Sequence, residues 1–383
     1  MQEQADGAVP KEPSPDQQSS SVEGERRDDP NFAQLQDRMT VVGVATIGLF
    51  VIALLFALDV AAPFFIPVIL AHLLDRLLSP LVRTGKRFGL PFPLGAGLVI
   101  AVFFGFLGVG GYYLSGPATE WIESAPRKIQ IAEYKLRGLT EPLEKMRKAA
   151  NEMGEATRAG QGEEQTVTVQ QEGSVGGMLM SQTWSFISGL LITIFLLYFL
   201  LASGELLLKK LVHLFPQFQH RKNAVKITRS IERDLSQYLG MICLINLGLG
   251  IAVAGAMYMI GMPNPLLWGA LAGMLNFIPY LGPVVNIAVV GLVAFVSFEH
   301  VGYAVLAPLA YLILNGIEAS LVTPTVMGWR LQLNPVVIFI ALTFWTWIWG
   351  IPGALLAVPI LAAIKITCDR IQVLKPIGDL LGK

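Results

Sequence analysis

Eight long apolar stretches dominate this sequence and limit the chain to a membrane-embedded fold. They lie at about 40–59, 60–82, 89–114, 184–203, 236–261, 264–298, 301–323 and 333–364. Together they cover about half of the 383 residues and contain only four charged side chains, those of Asp59, Asp75, Arg76 and Glu318. Because about 20 apolar residues cross a hydrocarbon core as a helix, several of these stretches are long enough to span a membrane. The sequence therefore predicts an all-α polytopic membrane protein.

Composition and motifs exclude several other classes. Charged residues make up 15% of the chain, against about 25% in a typical soluble protein. The apolar stretches are continuous, whereas the strands of a transmembrane barrel alternate in polarity. The formal net charge is zero, so no excess of basic residues indicates nucleic-acid binding. The sequence has no HExxH, GxSxG or Walker motif and no metal-ligand spacing among its four histidines. We therefore expect a protein that is not an enzyme and that holds no cofactor or metal.

Polar stretches divide the chain into predicted segments. Residues 1–38 are rich in Gln, Ser, Pro and acidic side chains, a composition typical of disorder. Arg83, Lys86 and Arg87 follow the second span and indicate its cytoplasmic end, which places both termini in the cytoplasm. The predicted order is a disordered cytoplasmic tail (1–38), transmembrane helices 1–3 (39–114), an extracytoplasmic helical insertion broken at Gly138 and Pro142 (115–183), transmembrane helix 4 with basic cytoplasmic helices (184–235), a transport core (236–366) and a cytoplasmic C-terminal tail (367–383).

Two of the apolar stretches, 264–298 and 333–364, have the wrong length for simple crossings. An unbroken helix of 35 residues would be about 52 Å long, too long for one crossing and too short for two. The first stretch contains Pro279, Gly282 and Pro283 near its middle, and such residues break a straight helix. The sequence therefore predicts re-entrant helical hairpins here, in addition to about six full transmembrane helices.

The two stretches share a plan. Each opens with Asn-Pro, at Pro265 and Pro335, and each breaks at a proline 18 or 17 residues later, at Pro283 and Pro352. Gly350 and Gly353 flank the second break. If both hairpins are re-entrant, they enter from opposite faces of the membrane, which is the inverted repeat of many secondary transporters.

Polar groups near the breaks indicate a binding site. We expect free carbonyls where the first arm of each hairpin ends, and free N–H groups where the second arm begins, since broken helices in membranes survive where they line a polar cavity. An intramembrane carboxylate is costly, so Glu318 is a candidate functional residue. The predicted substrate-binding residues are Asn276, Pro279, Gly282, Pro283, Asn286, Asn315, Glu318, Pro324, Gly350 and Gly353. Asp75, Arg76 and His72 are expected to form ion pairs near the cytoplasmic interface instead.

Several of these motifs resemble a known family. The runs NFIPYLGP (276–283), EASLVTPTVMG (318–328), LNPVVIF (333–339) and GIPGALLAVPI (350–360) are similar, as an ordered set, to those of the autoinducer-2 exporter family of bacterial permeases. The resemblance spans about residues 40–370. Pro352 departs from the family pattern in the second break.

The resemblance implies an inner-membrane transporter that assembles as a homo-oligomer, with a pentamer expected, and that works by an elevator-type cycle. It implies that Pro279, Gly282, Pro283, Glu318, Pro324, Gly328 and Pro335 match family motif positions. Its implied substrates are autoinducer-2, a small uncharged polyhydroxylated compound, or sodium or lithium ions exchanged for protons.

Three hypotheses follow from the sequence. The first is a secondary transporter that exports a small polar metabolite such as autoinducer-2. The second is a cation/proton antiporter in which Glu318, or else Asp75, exchanges the proton. The third is a membrane scaffold that transports nothing and binds a partner through residues 115–183.

Overall fold

The computed structural model describes residues 30–152, 175–204, 218–327 and 333–382. These residues are helical throughout, apart from turns and one isolated β-bridge. The α-helices are α1 (Pro30–Val60), α2 (Ala62–Arg87), α3 (Phe92–Glu152), α4 (Val175–Ser203), α5 (Phe218–Ile260), α6 (Pro265–Leu275), α7 (Leu281–Ser297), α8 (Val301–Ile317), α9 (Thr323–Met327), α10 (Pro335–Arg370) and α11 (Lys375–Leu381). Residues up to Ala61 form one compact unit and residues from Ala62 onward form another.

Seven helices of the described residues are long and apolar enough to cross a membrane. Six of them contain the six full spans that the sequence predicts, in α1, α2, α3, α4, α5 and α8. The seventh is α10, which carries the second predicted break. The chain is therefore a multi-pass α-helical membrane protein.

Two helices are longer than the sequence predicts. Helix α3 continues through Gly138 and Pro142 to Glu152, so the predicted break at these residues is wrong. A proline removes one backbone hydrogen bond, and a long helix can lose one bond without ending. Helix α5 runs without interruption from the basic stretch into the apolar span. The predicted tail falls partly outside the described residues, as do parts of the insertion and of the basic stretch (1–29, 153–174 and 205–217).

Buried apolar side chains of the second unit form three main clusters. One joins α2, α3 and α4 through residues such as Ala71, Ala96 and Leu197. A second joins α2, α5 and the later part of α10. The third joins α5, α6, α7 and α8, and includes Val253, Val290 and Ala307. Helix α5 therefore contributes to the cores around both broken stretches.

The first broken stretch consists of two short helices that pack against each other, α6 and α7. Residues 276–280 separate them and are called the first tip. Pro265 opens α6, where a missing N–H costs nothing because the first N–H groups of a helix have no partner within it. The break predicted from Pro279, Gly282 and Pro283 is present.

The second broken stretch bends sharply at Gly350, which is called the second tip. Its φ of 60° and ψ of −138° are accessible to glycine and not to an ordinary L-residue. Leu342 lies in one small cluster with Ala354 and Ala357. In a straight helix Leu342 and Ala354 would be about 18 Å apart, so the two arms of α10 fold back on each other.

Residues after α10 fold back onto the residues that precede its N-terminal end. Leu333 forms an antiparallel β-bridge with Gly382, and the Asn334 N–H donates to the Leu381 carbonyl at 3.0 Å. The buried Lys365 ammonium donates to Asp369 at 2.9 Å and to the Gly378 carbonyl at 3.3 Å. Helix α11 thus packs at the base of the second broken stretch.

Candidate functional site

The first tip is a tight turn whose backbone groups bond to each other. The Ile278 N–H donates to the Leu275 carbonyl, and the Gly282 N–H donates to the Ile278 carbonyl, both at 2.9 Å. The sequence predicts free carbonyls where the first arm ends, and for these two carbonyls that prediction is wrong. Tyr280 has a φ of 63°, a strained value for a residue with a large side chain. Strain of this kind is frequent at functional sites.

Each tip depends on a glycine packed against a carbonyl. A Cβ atom at Gly282 would overlap the carbonyl oxygen of Leu275. A Cβ atom at Gly353 would overlap the carbonyl oxygen of Trp345 in the same way. The two breaks therefore share a local geometry as well as a sequence plan.

The two broken stretches meet at the first tip. Ile278 packs against the cluster of Leu342, Ala354 and Ala357, which lies between the two arms of α10. Trp345 packs against the same cluster. The first tip is thus placed against the two arms of α10 inside an apolar bundle.

Three asparagines link the first tip to the helices on either side. The Asn276 amide donates to Oδ1 of Asn246 on α5 at 2.9 Å. It accepts from Nδ2 of Asn315 on α8 at 3.4 Å. Helix α5 reaches the tip because Gly250 and Gly273 let α5 and α6 approach until backbone touches backbone. Asn276 is therefore held from both sides.

Beside this chain of amides lie buried polar groups with few hydrogen-bond partners among the described residues. Nδ2 of Asn246 has none. Asn286 and Tyr311 are almost fully buried, and each has only the other as a side-chain partner. Since most buried polar groups in proteins are bonded, unpaired donors and acceptors mark a place where a polar solute or water can bind.

Glu318 lies at the end of α8, where the α-helix gives way to a π-helical turn. Residues Glu318–Val322 form a π-helical turn, a feature often found at functional sites. Tyr311, Asn315 and Glu318 recur at intervals of four and three residues, so they share one face of this helix. The Glu318 carboxylate accepts a short hydrogen bond from Thr323. No basic side chain among the described residues lies within ion-pair distance of it.

The structure groups the predicted site residues in two places. Asn276 and Asn315 meet at the first tip, beside Pro279, Gly282 and Pro283. Asn286 lies against Tyr311 on α8, and Glu318 follows Asn315 by one turn at the end of that helix. Gly350 and Gly353 lie at the break of α10. Pro324 belongs to the short helix α9 after the π-helical turn. The sequence analysis missed Asn246 and Tyr311. The one available signal was that Asn246 is the only amide side chain in the apolar part of α5 after Gln237.

Asp75 belongs to a separate group of charges. Arg76 lies 3.5 Å from Asp75 and 2.7 Å from Glu232 on α5, and Arg83 lies 3.8 Å from Glu232. The expected ion pairing of Asp75 and Arg76 is thus present. These contacts join α2 to α5.

Comparison with known proteins also indicates a membrane transporter. The family described as AI-2E family transporter matches residues 47–372. This range covers all eight apolar stretches except the first few residues of the first one.

Individual relatives are similar at low identity. The chain is 27% identical over 349 residues to YrrI of Bacillus subtilis (strain 168), a transport protein by provisional name, covering 85% of this chain and 94% of that protein. It is 25% identical over 329 residues to the AI-2 transport protein TqsA of Escherichia coli (strain K12), covering 85% and 91%. A match at 28% identity to a provisionally named transport protein of Borreliella burgdorferi covers 51% of this chain and 54% of that protein.

Proposed function

Because this chain belongs to the AI-2E transporter family, we propose that it exports a small polar metabolite, with autoinducer-2 as the first candidate, across the bacterial inner membrane. The two broken stretches act in this proposal as re-entrant hairpins of an inverted repeat. They carry the solute by an elevator-type movement within a homo-oligomer, for which a pentamer is expected.

One observation carries the proposal: the first tip lies against the arms of the second broken stretch, and buried amide and hydroxyl groups with few partners lie beside it. Ile278 of the first tip lies against the arms of α10, and Asn276 is bonded to Asn246 and Asn315 close by. In a bilayer, irregular backbone and unpaired amides are tolerated where they line a polar site. Amide and hydroxyl groups offer both donors and acceptors, which suits an uncharged solute with several hydroxyl groups.

A cation/proton antiporter is the second candidate, supported by Glu318. This carboxylate lies in an apolar helix, in a π-helical turn, and without a basic partner among the described side chains. A carboxylate in such a position can bind a proton or a monovalent cation in turn.

Flux measurements in proteoliposomes separate the two candidates. We expect efflux of autoinducer-2 from vesicles that contain the wild-type protein, and we expect Glu318→Gln to retain it. Glu299→Gln, which neutralises an exposed carboxylate between α7 and α8, is the matched control. Proton movement driven by sodium or lithium, lost in Glu318→Gln and kept in Glu299→Gln, would instead establish the antiporter. Absence of both fluxes would exclude transport of these solutes and leave the scaffold.

Cysteine labelling tests the re-entrant arrangement. In a background without Cys243 and Cys368, single cysteines replace the exposed residues Pro263 and His300, which flank the first broken stretch. A re-entrant stretch predicts that an impermeant maleimide labels both positions from the same side of the membrane. Labelling from opposite sides would mean that residues 264–298 cross the membrane once, and would exclude the re-entrant model.

A further inference from the structure

The end of α7 is stabilised from a distant part of the chain. The last four carbonyls of a helix have no partner within it. In α7 the Phe298 N–H satisfies the Ala294 carbonyl at 3.0 Å. The Lys135 ammonium, on α3, donates to the carbonyls of Phe295 at 3.1 Å and Val296 at 3.2 Å, and to that of Phe298 at 3.0 Å. One side chain thus satisfies three carbonyls at the base of the first broken stretch.

No local residue can replace Lys135. From Leu235 to Met327 the chain contains no lysine or arginine. The carbonyl end of α7 carries partial negative charge from the helix dipole, so it attracts a cation. The only cation that reaches it among the described residues comes from α3, 160 residues earlier in the sequence.

The same part of α3 also contacts the other arm. Trp121 stacks edge-on against Trp268 in the first turn of α6, with ring centroids 5.2 Å apart. Lys128 lies over the Trp121 ring, 3.0 Å from its centroid. Residues 121–135 therefore contact the beginning of α6 and the end of α7, the two ends that form the base of the broken stretch.

We propose that Lys135, assisted by Trp121, is a positioning residue for transport: it anchors the base of the first broken stretch to α3. The base is fixed to α3 at both arms, whereas the tip is joined to neighbouring helices by side-chain amides and by the apolar contact of Ile278. Opening for the solute therefore occurs at the tip, around Asn276, and the base acts as the pivot. This proposal assigns a role to residues 121–135 of α3. Its flux experiment rests on the proposed function, whereas its exchange experiment does not.

The test compares three variants in nanodiscs by hydrogen–deuterium exchange. Lys135→Met removes the donors and keeps the stem, Lys135→Arg keeps donors and charge, and Arg127→Met removes an exposed cation eight residues earlier on the same helix. We expect Lys135→Met to raise amide exchange in residues 293–298 about tenfold, Lys135→Arg to restore it to within about twofold of wild type, and Arg127→Met to leave it unchanged. Unchanged exchange in Lys135→Met, or equal effects of Met and Arg, would overturn the anchor.

Flux of autoinducer-2 in proteoliposomes, expressed per folded protein so that loss of stability does not lower the rate, adds a functional readout. We expect Lys135→Met to lower the maximal rate at least about fivefold and to leave the half-saturating concentration within about twofold of wild type. A raised half-saturating concentration with an unchanged maximal rate would place Lys135 at the binding site and overturn the anchor. If the wild-type protein moves no autoinducer-2, the proposed substrate is excluded. The exchange measurement then tests the anchoring role of Lys135 by itself.

Discussion

Gly282→Ala is expected to abolish transport and to destabilise the protein by more than about 3 kcal/mol. The added Cβ would overlap the Leu275 carbonyl oxygen, and that oxygen belongs to backbone already fixed by its bond to the Ile278 N–H. Backbone cannot rotate away as a flexible side chain can, so the tip must open or refold. The measurements are the melting temperature of the purified protein in detergent and flux in proteoliposomes.

Gly302→Ala is the matched control for this prediction. Gly302 lies in α8, and a Cβ there would meet no atom within 4 Å. Alanine is favoured over glycine within a helix, so this variant is expected to be as stable as wild type or slightly more stable. If Gly282→Ala matched the control in both stability and flux, the close packing at the first tip would not be required.

Arg76→Met is expected to produce the second large effect, a loss of about 2 kcal/mol of folding stability. The Arg76 guanidinium lies 2.7 Å from Glu232, and the two side chains are only 18% and 19% exposed. Removing Arg76 leaves the Glu232 carboxylate with only Arg83, 3.8 Å away. Loss of the nearer partner of a largely buried charge costs more than the pair itself contributes. Asp75, almost buried beside Arg76, would lose its nearest cation as well. For a chain of 383 residues the expected change is a fall of about 2–3 °C in melting temperature.

A double-mutant cycle identifies the cause of that loss. Arg76→Met with Glu232→Met removes both charges, so the double variant is expected to be more stable than the sum of the single changes predicts. Arg233→Met is the control, because Arg233 is 67% exposed and lies 3.7 Å from Asp234. Such surface pairs contribute less than about 1 kcal/mol. Strictly additive effects of Arg76→Met and Glu232→Met would mean that the ion pair does not join α2 to α5 energetically.

The positions of the apolar helices and of both breaks could be predicted from the sequence. Continuous apolar stretches determine where a chain can cross a bilayer, and this rule found the helices that are long enough to do so. Proline and glycine change the backbone locally, so Pro283 and Gly350 are sufficient to indicate where the two breaks lie. Gly138 and Pro142 show the limit of that rule, because the surrounding helix continues through them.

Contacts between distant residues could not be predicted in this way. Asn246, Tyr311 and Lys135 have ordinary neighbours in sequence, and their importance comes from helices that meet only in the folded protein. The hydrogen bonds of the first tip were missed for a related reason. Composition indicates that a helix breaks, but the exact turn decides whether a carbonyl such as that of Leu275 stays free.

The pairing of Leu333 with Gly382 bears on the order in which the protein can be assembled during its synthesis. The two arms of α10 leave the ribosome before residues 375–382, which form the bridge and the contact to Lys365. Chains fold progressively as they emerge, so we expect α10 to enter the membrane before its base is fastened. For that interval Lys365 has Asp369 as a partner but lacks the Gly378 carbonyl. We therefore expect insertion and final closure of this stretch to be separate events in the biogenesis of the transporter.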